Sequence, residues 1–129
     1  MHPISPWTIH QFLTSMTFTT IVETTILLLL LKKVIKHGHI SKSRIFIAGI
    51  FANFATVPYV WFIFPYLFSW SLSASLLFSE PFVAVVEAVF YRIFLKTSWK
   101  ASFLISITAN LTSYLLGPYL RAHGLWLYW

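Results

Sequence analysis

The chain has 129 residues, of which 58% are hydrophobic, 19% aromatic and 9% charged, with a mean hydropathy of +0.78. A soluble domain carries roughly 25% charged residues, and one this short buries only about two-thirds of the surface it exposes unfolded, so the composition suits lipid better than water. Nine basic residues, three glutamates, no aspartate and no cysteine exclude acidic disordered tails, most hydrolytic motifs, disulfides, thiolate metal sites and cysteine nucleophiles.

A helix crosses the hydrocarbon core with about 20 predominantly apolar residues. Four segments qualify in chain order. The first covers 7–31 and ends in the run Ile26 to Leu31. The second covers 45–64 and is closed by Pro65. The third and fourth cover 72–95 and 101–120. None alternates apolar and polar residues as a membrane barrel strand would. The expected fold is an all-α integral membrane protein, a four-transmembrane-helix bundle forming one domain over 1–129.

The connections set the direction. Lys32, Lys33, Lys36, Lys42 and Arg44 lie between the first two spans, and Arg92, Lys96 and Lys100 near the turn between the last two; the opposite side holds only Arg121. Basic residues concentrate on the cytoplasmic side, so both turns are expected inside, both termini outside, and the protein multi-pass in the cell membrane. Trp7, Trp61, Trp70, Trp126 and Trp129 would form an outer aromatic belt, with Trp99 at the inner interface. No Lys or Arg precedes the first span and no small-residue cleavage site follows it, so no cleaved signal peptide is expected. The start Met1-His2-Pro3 lacks a myristoylation pattern, and the C-terminus has no prenylation box. The net charge of +6 fits topology and attraction to anionic lipid, with the bilayer and not a nucleic acid as partner.

The two halves share a pattern. Val22-Glu23, a basic turn, Ala52-Asn53-Phe54-Ala55-Thr56 and Pro58-Tyr59 are matched by Val86-Glu87, a basic turn, Ala109-Asn110-Leu111-Thr112-Ser113 and Pro118-Tyr119. Two parallel-repeat helical hairpins are expected, related by an axis along the membrane normal. Glu23 and Glu87 each lie nine residues before a basic residue (Lys32, Lys96), Asn53 nine after Arg44 and Asn110 ten after Lys100. At 1.5 Å per residue these four stand roughly 13–15 Å from the cytoplasmic boundary, near the midplane.

A carboxylate at that depth costs at least about 2.5–3.5 kcal/mol. Glu23, Glu87, Asn53 and Asn110 therefore read as one site for a proton, cation or small polar solute, carboxylate and amide oxygens being ligands for hard cations. The same four can also hydrogen-bond to one another as packing glue. Glu80, seven residues before Glu87, shares its helix face and joins the candidate site. Ser79-Glu80-Pro81 reads either as a helix start capped by Ser79, leaving Phe68 to Phe78 interfacial or re-entrant, or as part of one longer helix kinked at Pro81. Arg92, close to Lys96, is expected to snorkel to the headgroups. Gln11, Ser15, Thr19 and Glu23 fall every four residues and form a polar stripe leading outward, an access path. Ser102, Ser106, Asn110, Ser113 and Gly117 with Gly49, Asn53 and Thr56 read as close-packing faces.

His37 and His39 sit in a basic turn that disfavours a metal, and no histidine lies at haem depth. No nucleophile–base pair, phosphate loop or zinc motif is present, so neither an enzyme nor a cofactor is expected. Two functions remain: a binding or translocating membrane protein using the Glu/Asn site, or an accessory subunit of a larger membrane complex. Four helices are few for a monomeric pathway, so the first implies a homo-oligomer or a larger partner.

Overall fold

A computed structural model describes residues 6–68 and 72–125 of the chain, and in these residues the fold is all-helical, with no strands. Helix α1 spans Pro6–Leu29 and continues through a π-helical turn, Leu30–Val34. Helix α2 spans Lys42–Pro58, widens into a π turn at Tyr59–Ile63 directly after its proline, and runs on into the short α3, Phe64–Leu67. Helices α4, Leu72–Phe94, and α5, Trp99–Ala122, complete the bundle. Trp70, Trp126, Trp129, the Trp7 side chain and the Met1-His2-Pro3 start lie outside the described residues.

Two stretches, Ile9–Val34 and Lys42–Leu67, are long and apolar enough to cross a membrane. The 23-residue α4 and 24-residue α5 are diluted by Glu80, Glu87 and Arg92 on one and by Ser102, Ser106, Asn110 and Ser113 on the other.

The helix ends differ from the expected ones for local reasons. Pro65 does not close the second helix: it falls in the first turn of α3, where its missing N–H costs nothing. Ser79 is not a cap, because α4 passes through Pro81 without a break. A proline inside a helix costs about 3 kcal/mol, but Ser75, Ser79, Val83, Glu87, Tyr91 and Leu95 are all buried, so one packed face continues across it. Of Phe68 to Phe78, residues 72–78 are thus helical and 69–71 lie outside the described residues.

Both hairpin turns are built alike. The incoming helix ends at a lysine with left-handed backbone, Lys36 (φ 58°) or Lys96 (φ 56°), which places a cation beside the unsatisfied last carbonyls. The outgoing helix starts at a serine whose hydroxyl accepts from the third following N–H: Ser41 from Arg44 at 3.3 Å and Ser98 from Ala101 at 3.2 Å. Lys32 Nζ donates to Gly38 O and Ile40 O in the first turn, and Thr97 Oγ1 donates to Tyr91 O at 3.2 Å in the second.

The four long helices close a ring: α1 packs on α2 and α5, and α4 on α5 and α2. At the turn end the ring is filled by Leu27, Leu31, Ile45, Ala48, Ala52, Tyr91, Leu95 and Ile105. Arg44 at the start of α2 donates to Phe94 O at the end of α4 and stands 5.5 Å from that ring's centroid. The outer faces expose apolar side chains along their length, among them Leu13, Ile21 and Leu29 on α1, Phe46, Phe51 and Phe54 on α2, Leu77, Val85 and Ile93 on α4, and Leu104, Leu111 and Leu115 on α5.

Helices α1 and α2 approach most tightly at Gly49, where a Cβ would stand 2.3 Å from Thr24 Oγ1 and 3.0 Å from Thr24 Cβ. Thr24 is buried and β-branched, so it cannot swing aside. Gly49→Ala is therefore expected to destabilise the bundle by about 1–3 kcal/mol, and Thr24→Ala in the same chain to recover part of it. Thermal unfolding in detergent measures both; a Gly49→Ala variant as stable as the parent would show that the helices can part at no cost.

Candidate functional site

The half of the bundle towards the chain termini is polar inside and encloses a cavity of about 530 Å³. All five residues expected to form the site, Glu23, Asn53, Glu80, Glu87 and Asn110, line it, as do Ser15 and Thr19. Gln11 does not reach the lining. The cavity extends from Pro65, Pro118 and Arg121 near the terminal end down to the two deep glutamates, below which the apolar plug begins.

The helices deliver these groups by simple spacing. Asn53 and Asn110 each lie twelve residues after the capping serine of their helix, and each Nδ2 donates to the carbonyl one turn back, Gly49 O at 3.1 Å and Ser106 O at 2.9 Å. That bond fixes which end of each amide faces inward. Three residues further on, Thr56 and Ser113 exchange partners between hairpins: Thr56 Oγ1 donates to Glu87 Oε1 at 3.2 Å, and Ser113 Oγ donates to Glu23 Oε1 at 2.6 Å.

The two deep glutamates, equivalent in the sequence pattern, have different surroundings. Glu87 is fully buried and accepts on both oxygens, from Thr56 on one and from Asn110 Nδ2 at 2.6 Å and Ser106 Oγ at 3.4 Å on the other. Glu23, 1% exposed, accepts from Ser113 and lies against the Asn53 side chain. Its Oε2 has no partner among the described residues, and neither do Asn53 Oδ1, Ser75 Oγ or Ser79 Oγ. These four unpartnered oxygens all belong to residues lining the cavity. Buried polar atoms are rarely left unpaired; these four lie occluded at the edge of the cavity.

Sequence spacing alone did not single out Thr56, Ser113, Ser75 and Ser79 as lining. The first two stand three residues past each asparagine, and the others extend the four-residue stripe of Glu87 up α4. Phe18, Trp61 and Tyr114 add aromatic surface, and the edge of Trp61 meets Phe12 at a centroid distance of 6.1 Å. Among the described residues no three His, Cys, Asp or Glu side chains are grouped as a metal site would need. Arg92 lies outside the cavity, 5.9 Å from the centroid of the Trp99 ring.

The class defined by these features is an all-helical bundle with a polar, glutamate-floored cavity and an apolar exterior. No protein family, curated protein or solved structure matches the chain.

Proposed function

We propose that the chain is a four-span membrane protein, both termini extracytoplasmic, that binds or translocates a proton, cation or small polar solute at the Glu/Asn floor of its cavity. The observation that carries the reading is that Glu23, Asn53, Glu80, Glu87 and Asn110 line one cavity, with Glu23 Oε2 and Asn53 Oδ1 unpartnered among the described residues. The membrane assignment is supported by an exterior that exposes apolar side chains along every long helix while Glu23, Asn53, Thr56, Glu87, Ser106 and Ser113 are buried inside. Lipid, unlike water, tolerates that exterior.

An internal duplication agrees with the matched serine caps, the left-handed lysines, the equal serine-to-asparagine spacing and the exchanged Thr56–Glu87 and Ser113–Glu23 bonds. The two repeats are not identical. Glu23 lies thirteen residues before Lys36 but Glu87 nine before Lys96, and Pro58 follows Asn53 by five residues where Pro118 follows Asn110 by eight.

The satisfied bonds around Glu87 favour a second role, glue for the bundle, for that half of the floor. An accessory-subunit function would need the whole floor to be of that kind. The test is cation- or acid-dependent stabilisation of the purified protein in detergent, read as a shift in Tm. Wild type and Glu87→Gln should respond and Glu23→Gln should not. An equal response in Glu23→Gln would refute the site.

A further inference from the structure

Size, wall chemistry and charge together select among the solutes that the proposed reading admits. At about 530 Å³ the cavity is far larger than the roughly 30 Å³ a water molecule occupies in the liquid, and lies in the range of about 300–1,000 Å³ that encloses small organic ligands. A bare inorganic ion would fill a corner of it. Between floor and mouth the wall carries Phe18, Val57, Val60, Trp61, Val83 and Tyr114, an apolar and aromatic belt that offers an inorganic ion nothing in exchange for its water. The floor is acceptor-rich. Glu23 Oε2 and Asn53 Oδ1 point no donor at a ligand, and the Ser75 and Ser79 hydroxyls can accept as well as donate. Glu80 and Glu87 add carboxyl oxygens from α4. An anion is disfavoured at this floor, and a neutral apolar molecule would offer the Glu23 carboxyl no counter-charge. Arg121 stands about three helical turns above Asn110 along α5, at the mouth and away from the floor.

We infer that the ligand is an organic monocation, an ammonium group carried on an apolar or aromatic body, with the ammonium at Glu23 and Asn53 and the body against Phe18, Trp61 and Tyr114. This rests on the reading of the cavity as a cation site and narrows it. One carboxylate balances one positive charge, and the aromatic rings bury the attached apolar body.

The experiment is calorimetric titration of the full chain in lipid nanodiscs with benzyltrimethylammonium, its neutral isostere neopentylbenzene, tetramethylammonium, and sodium or potassium chloride. Benzyltrimethylammonium should bind about tenfold or more tightly than tetramethylammonium, which lacks the apolar body to bury, and about tenfold or more tightly than neopentylbenzene, which lacks the charge. Glu23→Gln should bring it down to the affinity of the neutral isostere. Phe18→Leu and Trp61→Leu should narrow its advantage over tetramethylammonium without changing tetramethylammonium binding.

Equal affinity for the charged and neutral isosteres, or wild-type benzyltrimethylammonium binding in Glu23→Gln, would overturn the inference. If sodium, potassium or acid acts through Glu23 while benzyltrimethylammonium neither binds nor competes, the inference fails and the cation-site reading stands. If no probe, inorganic or organic, responds to Glu23→Gln, both fail.

Discussion

Glu87→Ala is expected to lower the stability of the bundle by about 2–4 kcal/mol, and Glu23→Ala by less than about half of that. Glu87 is fully buried and accepts from Thr56 on α2 and from Ser106 and Asn110 on α5, so its carboxyl joins α4 to both neighbours. Interhelical hydrogen bonds in membrane proteins average about 0.6 kcal/mol each, and three of them together with the new void give the larger figure. The donors left behind limit the loss, since Thr56 still reaches Ala52 O at 3.0 Å and Ser106 still reaches Ala84 O at 2.9 Å. At Glu23 the bond from Ser113 is lost; truncation enlarges the same cavity at either position, so the difference between the two lies in the number of bonds. Glu87→Gln keeps the shape and an acceptor for Asn110, and should stay within about 1 kcal/mol of the parent. Unfolding in mixed micelles ranks the variants; equal losses for the two alanines would mean that both carboxyls are structural.

The second large effect lies in the plug below the floor. Tyr91 is fully buried among Leu27, Leu31, Ile45, Leu95 and Ile105, and its hydroxyl has no partner among the described residues. Removing an unpaired buried hydroxyl costs nothing, so Tyr91→Phe should match the parent or exceed it by about 1 kcal/mol. Tyr91→Ala removes the largest side chain of the plug and should cost about 3–5 kcal/mol. It should also make vesicles containing the protein leak small ions, because this layer closes the cavity towards the turns. A Tyr91→Phe variant less stable than the parent by more than about 1 kcal/mol would show that the hydroxyl is bonded in the membrane.

Much of the fold was legible because its helices are written in long apolar runs, and those carrying Glu23, Asn53, Glu87 and Asn110 follow from those runs and the basic turns. That these four line one cavity agrees with their equal distances from the lysine and arginine boundaries, and Glu80, seven residues above Glu87 on the same face of α4, lines it too. The helix ends were less so. Pro65 and Pro81 are strong local breakers, yet the first falls where a proline is harmless and the second lies on the exposed side of a helix whose opposite face is packed from Ser75 to Leu95. Least legible was the difference between the glutamates. Glu23 and Glu87 sit in matching sequence, and what distinguishes them is that Asn110 Nδ2 reaches Glu87 and Ser106 adds to it, whereas the position in α2 that matches Ser106 is Gly49, which has no hydroxyl. Gln11, one turn above Ser15 on the same stripe, shows that a helical stripe can outrun the cavity it borders.

The central claim, a cavity that opens on the side of the termini and is sealed towards the basic turns, is tested most directly by thiol accessibility, for which a chain without native cysteine is well suited. Ser15→Cys places a thiol in the partly exposed upper wall of the cavity, and Lys36→Cys places one in the first turn. A membrane-impermeant cationic thiol reagent, added outside intact cells, is expected to modify Ser15→Cys and to spare Lys36→Cys until the membrane is permeabilised. Labelling of Lys36→Cys from outside, or of Ser15→Cys only from the cytoplasmic side, would contradict the account.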